Sequence, residues 1–494
     1  MAAAPAAKPH LVFFPFPTQG HVTPALQLAR LLHHCHGFDV TFVHTERNRL
    51  RLLRARGPSA LAGAPGFRFA AVPDGLPPSD EDAARDDAAA LLLSLPTVVP
   101  QFKDLVLSEL PAASCRRLLL VSDIDPILRA AQEIGLPCVT FWTTSASSLM
   151  AMQQIQHLVA KGLVPLKDAE QLRNGYLDST VIDWAPGLPK GMRLRDFPSF
   201  IRTTDPDDAV LALTLRLTEC YRTVPSAVVF HTFEELESQV ISAMSDILPP
   251  IYAIGPLPLL LREVGAGAGG DHAASISVGS SLSKEDRACL DWLDGKRPNS
   301  VVFASFGSLV KLTCEQLVEL AWGLASSGYD FLWVIRADQQ VTGSAAGATA
   351  VVLPPEFMAE TEGRGRVTSW CPQEAVLRHE AVGAFLTHCG WNSMLESVCA
   401  GVPMLCWPFA ADQQTNSRMA CTEWRVGVEL SEDPGREEVE AAIRQVMGGG
   451  RGEELRRSVA EWKYKAALAA RLGGSSWVNL ERVVNEVLAL VDKK

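Results

Sequence analysis

Short runs of β-branched and aromatic residues recur along the chain, separated by longer stretches in which apolar positions return every three or four residues. Such alternation predicts βα units and a parallel sheet. In the first half the strand pattern falls at Leu11–Phe16, Asp39–His44, Phe67–Val72, Leu118–Ser122, Cys138–Trp142 and Ala227–Thr232. Helical periodicity marks Pro24–His34, with its proline suited to a first turn, and Pro126–Ile134, ended by Gly135-Leu136-Pro137. The pattern restarts at Val301–Phe306 and runs through Phe331–Ile335, Val367–Trp370, Gly383–His388, Met404–Trp407 and Gly427–Leu430. Two helical patterns, Glu453–Leu472 and Ser475–Val491, close the chain.

A series of βα units that stops and starts again predicts an α/β protein with two Rossmann-like domains facing each other across a cleft. A length of 494 residues suits two such domains. The expected division is an acceptor-side domain over 1–255, a flexible linker over 256–285, a second domain over 286–474, and a last helix over 475–494 that packs back on the first domain. The Gly/Ala/Ser-rich stretch Gly265–Ser281 marks the linker, and Thr342–Ala350 reads as a surface loop.

Composition narrows the partners. A hydrophobic share of 47% and a charged share of 20% fit a chain with large buried cores. The net charge of −11 argues against nucleic acid, whose phosphate backbone needs clustered Lys and Arg. Eleven scattered cysteines, odd in number and without a C-x-x-C pair, read as reduced thiols and point to the cytoplasm. The run Leu11–Phe16 is too short and too interrupted by proline for a signal peptide, and no stretch reaches the length of a membrane span.

Candidate chemistry concentrates between Trp370 and Gln413, WCPQEAVLRHEAVGAFLTHCGWNSMLESVCAGVPMLCWPFAADQ. Gly383–His388 reads as a buried strand, and Met394–Ala400 as a helix closed by Gly401. His388, Gly390, Asn392 and Ser393 therefore sit where a strand hands over to a helix N-terminus, a place suited to phosphate. Glu396 lies one turn further along the face of Asn392, within reach of a ribose, and Asp412 and Gln413 follow the next strand at the same sheet edge.

Along its whole length this stretch resembles the 44-residue signature of plant family-1 UDP-sugar glycosyltransferases, with W-x-P-Q, H-C-G-W-N-S, E and D-Q in register. The two-domain organisation resembles that family's GT-B fold over nearly the whole chain. The resemblance implies that Trp370 stacks on uracil, with the backbone of Cys371 and the side chain of Gln373 nearby, and that Glu396 holds the ribose. It implies that His388, Asn392 and Ser393, with Ser308 of the Phe306-Gly307-Ser308 turn, hold the pyrophosphate. Trp391, Asp412 and Gln413 would contact the sugar, and the closing glutamine points to UDP-glucose as donor co-substrate, with no further cofactor.

An alcohol is barely ionised at neutral pH, so transfer to a hydroxyl needs a general base. His21, in the loop after the first strand and before a helix, resembles the family's catalytic histidine. Asp123, at the end of Leu118–Ser122, matches the aspartate that holds the histidine's far nitrogen. Here Asp123 is followed by Ile124-Asp125-Pro126, where the family more usually has glycine and an apolar residue; Asp125 reads as an N-cap to the next helix. Asp123-Ile124-Asp125 also spells D-x-D, a metal motif of another glycosyltransferase fold. No metal is expected, because a helix N-terminus already serves the phosphates. Thr143 resembles the threonine that reaches the sugar's 6-hydroxyl.

The acceptor pocket is expected from the first half, including Ala146–Val159 and Met192–Asp207. The string MRLRDFPSFIRTTDPDD and the end of the chain resemble the branch containing cyanohydrin, iridoid and diterpenoid glucosyltransferases, which implies a small lipophilic acceptor and a β-O-glucoside formed with inversion. Two alternatives stand beside this reading. One is a two-Rossmann dehydrogenase, which would need G-x-G-x-x-G where Gln19-Gly20-His21 stands. The other is a nucleotide-sugar-binding protein without transferase activity.

Overall fold

The computed structural model describes residues 10–76, 88–110, 118–267, 281–336 and 353–492. The first half builds a seven-stranded parallel sheet from β1 (His10–Phe14), β2 (Asp39–Thr45), β3 (Phe67–Val72), β4 (Leu118–Ser122), β5 (Cys138–Trp142), β6 (Val228–Phe230) and β7 (Ile251–Ala253), in the order 3-2-1-4-5-6-7. The second half builds a six-stranded parallel sheet from β8 (Val301–Ser305), β9 (Asp330–Val334), β10 (Gly365–Thr368), β11 (Val382–Thr387), β12 (Met404–Cys406) and β13 (Gly427–Glu429), in the order 10-9-8-11-12-13. The two-sheet α/β architecture expected from the periodicity is therefore present. The sequence reading missed β7, a three-residue edge strand directly after Pro249-Pro250, too short to show a period.

In such sheets ligands bind beyond the carboxyl ends of the strands, where the strand order reverses. In the first sheet the reversal lies between β1 and β4, which pair in register from His10–Leu118 to Phe14–Ser122. In the second it lies between β8 and β11. The segments after β1 and β4 carry His21 and Asp123, and those after β8 and β11 carry Ser308 and His388.

The helices that bear on the site are α1 (Gln19–His36), α2 (Asp125–Glu133), α3 (Ala146–Ala160), α4 (Leu257–Gly267), α5 (Trp391–Ala400), α6 (Gln413–Arg418), α7 (Gly449–Ala470) and α8 (Ser475–Asp492). α1 starts earlier than expected, with Thr18 as its extended N-cap, so Pro24 sits inside the helix instead of opening it. His21 accordingly belongs to the first helical turn and not to the loop before it. A proline at this depth removes the N–H that would bond to Gly20.

Residues 257–267, part of the expected flexible linker, form α4, and Leu257 and Leu260 are buried in the core under the first sheet. The rest of that Gly/Ala/Ser-rich stretch up to residue 280, and the Thr342–Ala350 loop, lie outside the described residues. α8 lies on the first sheet: Leu480, Val483 and Val484 join the core of Leu11, Val40 and Leu119. Ser476 Oγ donates to the Gly255 carbonyl at 2.5 Å, and Asn479 Nδ2 to that of Ala253 at 3.1 Å. The halves also interlock elsewhere. Phe233 and Leu236 pack into the core of the second half, and the Trp424 indole donates to the Leu236 carbonyl at 3.1 Å. No helix among the described residues is long and apolar enough to cross a membrane.

Candidate active site

His21 and Asp123 meet across the switch point of the first sheet. His21 Nδ1 lies 2.5 Å from Asp123 Oδ2. The other carboxylate oxygen, Oδ1, accepts from the Phe16 N–H at 2.7 Å, and the Asp123 carbonyl accepts from the Tyr221 hydroxyl at 2.7 Å. The aspartate is thus held from three sides and buried, while the imidazole is 26% exposed. Phe16 stands edge-on to the imidazole, with ring centroids 5.3 Å apart.

The Thr143 hydroxyl lies 3.0 Å from the same Nδ1 and is buried. Its observed partner is therefore His21. Asp125 is the first residue of α2 and not its cap. Its buried carboxylate takes Arg129 at 2.7 Å and Arg216 at 2.6 Å. Two guanidiniums outcompete the backbone N–H groups for a charged carboxylate. The D-x-D string is split between these two environments.

Opposite stands the start of α5. His388 follows β11, and burial lowers its pKa to about 4, so the imidazole is neutral at pH 7. It fits only because Gly307 and Gly390 flank it: a Cβ at Gly307 would come within 2.7 Å of the ring, and one at Gly390 would strike Nε2. Gly390 is the extended N-cap of α5 and offers no side-chain cap, so the first N–H groups of the helix stay available to an anion. Ser393, in that first turn, accepts from Gln373 Nε2 at 2.8 Å. The same Nε2 donates to Glu396 Oε2 at 2.9 Å. Burial pushes the Glu396 carboxyl up to about 7, against the Gln373 bond that lowers it. The Trp370 indole is anchored by its N–H, which donates to Ser281 Oγ at 3.0 Å. Cys371 is buried beside it, and Ser308 lies partly open in the turn after β8.

The two halves touch through this site. Asn392 Nδ2 donates to the Gly20 carbonyl at 2.6 Å. A shallow crevice between α1, α4 and α5 is lined by Thr23, Pro24, Asn392 and Glu396 among others.

The Trp391 indole does not reach the site. It is buried against Trp424, and its N–H donates to the His231 carbonyl at 2.8 Å, leaving only the Trp391 main chain at the helix N-terminus. Gln413 is placed with definite polarity. Its Oε1 accepts from the N–H groups of Phe409 at 2.8 Å and Ala410 at 3.1 Å, so its NH₂ is the end left for a ligand. Asp412 carries a carboxyl raised by burial and pulled back by the Asn416 side chain and by the field of His21.

The turn before Asp412 contains Ala411 with φ 58, held by Ser199 of the first half. The Ser199 N–H donates to the Ala411 carbonyl at 2.9 Å, and Ser199 Oγ accepts from the Ala411 N–H at 2.8 Å. Within the segments expected to build the acceptor pocket, Leu149, Met150, Ile155, Met192, Leu194, Phe197 and Ile201 sit in the core of the first half. Asn416 and Ser145, whose side chains meet at 2.6 Å, were not singled out by the sequence. The one signal was the run of five uncharged polar residues Gln413–Ser417, all of them buried.

Two facing parallel sheets, with a histidine–carboxylate pair at the switch point of one and an anion-ready helix start at that of the other, define a nucleotide-sugar transferase. The family model for UDP-glucoronosyl and UDP-glucosyl transferases matches residues 215–454. The 7-deoxyloganetin glucosyltransferase of Gardenia jasminoides is 49% identical, covering 98% of both chains. The (R)-mandelonitrile beta-glucosyltransferase of Prunus dulcis is 48% identical, covering 97% of both. Among solved structures, Os79 of O. sativa in complex with UDP matches with a TM-score of 0.77 at 29% identity, over 96% of this chain and 99% of that one. Medicago truncatula UGT71G1 complexed with UDP-glucose matches with a TM-score of 0.77 at 27% identity, over 97% and 98%. The chain belongs to the UDP-glucoronosyl and UDP-glucosyl transferase family, in the plant branch that the segment Met192–Asp208 resembled.

Proposed function

We propose that the protein transfers glucose from UDP-glucose to a hydroxyl of a small lipophilic plant metabolite, with inversion and without a metal ion. The observation that carries this reading is the 2.5 Å contact of His21 Nδ1 with Asp123, which turns Nε2 into the base. Nε2 takes the proton of the acceptor hydroxyl while its oxygen attacks the anomeric carbon from the face opposite the phosphate. The bond from that carbon to the β-phosphate oxygen breaks, and UDP leaves with the electron pair. The α-linked donor becomes a β-glucoside. The imidazolium that forms is stabilised by Asp123, whose second oxygen is already fixed by the Phe16 N–H.

Charge gathers on the departing diphosphate. The free N–H groups at the start of α5, the neutral His388 imidazole and Ser393 serve it as fixed dipoles that need no reorganisation. Both carboxylates of the D-x-D string are engaged, Asp123 with His21 and Asp125 with two arginines, which supports a mechanism without a cation. On the donor side, Gln373 and Glu396 suit a ribose and the Trp370 ring a uracil. The ten described cysteines are free thiols, in keeping with a cytoplasmic enzyme.

The relatives' names point to hydroxyl acceptors of small size, a class that includes terpenoid alcohols, cyanohydrins, flavonoids and phenols. The test is a panel of these acceptors incubated with UDP-glucose and read by mass spectrometry. A gain of one hexose with stoichiometric UDP is the expected result; UDP-glucose binding without transfer to any of them would overturn the reading.

A further inference from the structure

The two turns that face the donor each pass through a non-glycine residue in the left-handed region, Cys389 with φ 65 and Ala411 with φ 58. Such residues are strained and persist only where their surroundings over-determine them. One side chain binds to both turns. Asn416, on α6 and fully buried, donates through Nδ2 to the Cys389 carbonyl at 3.0 Å and to Asp412 Oδ2 at 2.7 Å.

Its Oδ1 accepts from Ser145 Oγ at 2.6 Å, and Ser145 is a fully buried residue of the first half. Ser145 caps α3 by accepting from the Ser148 N–H at 3.0 Å, and it stands two residues from Thr143, which touches His21. The amide has one workable orientation. Turned over, it would set its oxygen against the Cys389 carbonyl and the Asp412 carboxylate, and its NH₂ would face Ser145.

We propose that Asn416 is a positioning residue for the donor sugar, locking the phosphate-binding and sugar-binding turns to each other and, through Ser145, to the half that carries the base. The inference rests on the reading of Asp412 as a sugar contact. Without Asn416 the half-buried Asp412 carboxylate loses its only side-chain donor among the described residues, and the titratable group facing it is His21. The phosphate contacts at the start of α5 are separate from Asp412, so UDP and UDP-glucose should respond differently.

The experiment measures UDP and UDP-glucose affinity by calorimetry, and turnover against pH, for wild type, Asn416→Ala, Asn416→Asp, Ser145→Ala and Asp412→Ala. Asn416→Ala is expected to weaken UDP-glucose at least roughly tenfold and UDP less than about threefold. Ser145→Ala should move in the same direction by less. In Asn416→Asp two carboxyl groups share one buried site, so one of them holds a proton more fully as pH falls. The protonated acid has one O–H and restores one of the amide's two donations, the one shared with Asp412. Turnover relative to wild type should therefore rise from pH 8 to pH 6.

Equal weakening of UDP and UDP-glucose, or an Asn416→Asp ratio that is flat or falls towards pH 6, would overturn the proposal. If the alanine variant does not fold, the isosteric aspartate carries the test. Asp412→Ala separates this inference from the reading beneath it. An unchanged UDP-glucose to UDP affinity ratio in that variant removes Asp412 from the sugar site. A changed ratio there with an unchanged one in Asn416→Ala removes Asn416.

Discussion

The side-chain amide of Asn392 donates across the cleft to the main-chain carbonyl of Gly20 at 2.6 Å, and that carbonyl is the one Pro24 leaves without an intrahelical partner. In an uninterrupted helix the N–H four residues on would occupy it. The proline therefore exposes an acceptor one residue before His21, and the donor half answers it with a residue from the first turn of α5. The second Nδ2 hydrogen of Asn392 remains for a phosphate oxygen.

Removing this amide should cost both contacts. Asn392→Ala is expected to lower kcat/KM for UDP-glucose by roughly thirtyfold to a thousandfold, the range for losing one neutral and one charge-assisted hydrogen bond. Asn392→Asp should lose more, because its carboxylate would face a carbonyl oxygen and an anionic ligand together. Steady-state kinetics decide the point; an aspartate variant as active as wild type would contradict the assigned contacts.

The split D-x-D string makes opposite forecasts for two neighbouring aspartates. His21→Ala should reduce transfer by at least roughly a hundredfold, the low end of general-base catalysis, with UDP-glucose binding nearly intact. Asp123→Asn should follow it closely. Asp125→Asn takes the charge from a buried carboxylate that pairs with the more exposed Arg129 and Arg216, so it should lower the melting temperature while leaving turnover per folded molecule within a few-fold. Exhaustive chelation should leave wild-type turnover unchanged. Equal catalytic losses at the two aspartates, or EDTA inactivation reversed by Mg²⁺ or Mn²⁺, would restore the metal reading.

Much of this site was legible because βα periodicity fixes strand ends, and strand ends fix where ligands bind. β3, β4 and β5 fall at their expected bounds. What was not legible depends on direction rather than position. Pro24 looked like a helix start, since proline is commonest there, yet a side chain distant in sequence serves the carbonyl it frees. Trp391 lies within the expected motif, but its position says nothing about which way the indole points, and the His231 carbonyl claims it. Asn416 lies three residues past the motif on a helix of polar residues, which by periodicity reads as a solvated face. Its burial follows from the packing of α6 between the two halves, a long-range fact with no local signature.

With Glu396 on the ribose, as proposed, UDP-glucose binding should release protons. Its carboxyl is pushed up to about 7 by burial, so in the free enzyme at pH 7 it is about half protonated. Ribose hydroxyls donate to the carboxylate and favour the ionised form. Binding should therefore release about half a proton at pH 7, more at pH 6 and little at pH 8, and affinity should rise with pH up to about 7 and then level off. Calorimetry in buffers of different ionisation enthalpy reads the number directly. UDP-glucose suits this better than UDP, whose terminal phosphate titrates in the same range. Glu396→Gln should abolish the release, and a wild type that binds with no proton exchange at any of these values would remove Glu396 from the ribose.

With Gln413 on the sugar, as proposed, its polarity bears on donor choice. Its Oε1 is occupied by the Phe409 and Ala410 N–H groups, so toward a ligand it is a donor only. Glucose and galactose differ at C4, where the hydroxyl is equatorial or axial. A site that bonds to one position leaves polar groups unpaired when the hydroxyl moves, at about 1–3 kcal/mol each. UDP-glucose should therefore be preferred over UDP-galactose by about tenfold or more. Gln413→Glu keeps the shape but presents oxygens to the two N–H groups and to the sugar alike. It should lose glucose transfer by a similar factor without gaining galactose, whereas Gln413→His can still donate and should retain some transfer. The Ser199 contacts fix the left-handed Ala411 just before this pair, so Ser199→Ala, made in the other half of the chain, should narrow the preference between the two sugars while leaving UDP affinity within about threefold. Kinetics with both donors side by side settle all of these at once: equal use of the two sugars by wild type would take Gln413 out of the sugar site, and an unaltered ratio in Ser199→Ala would show that the turn holds its shape unaided.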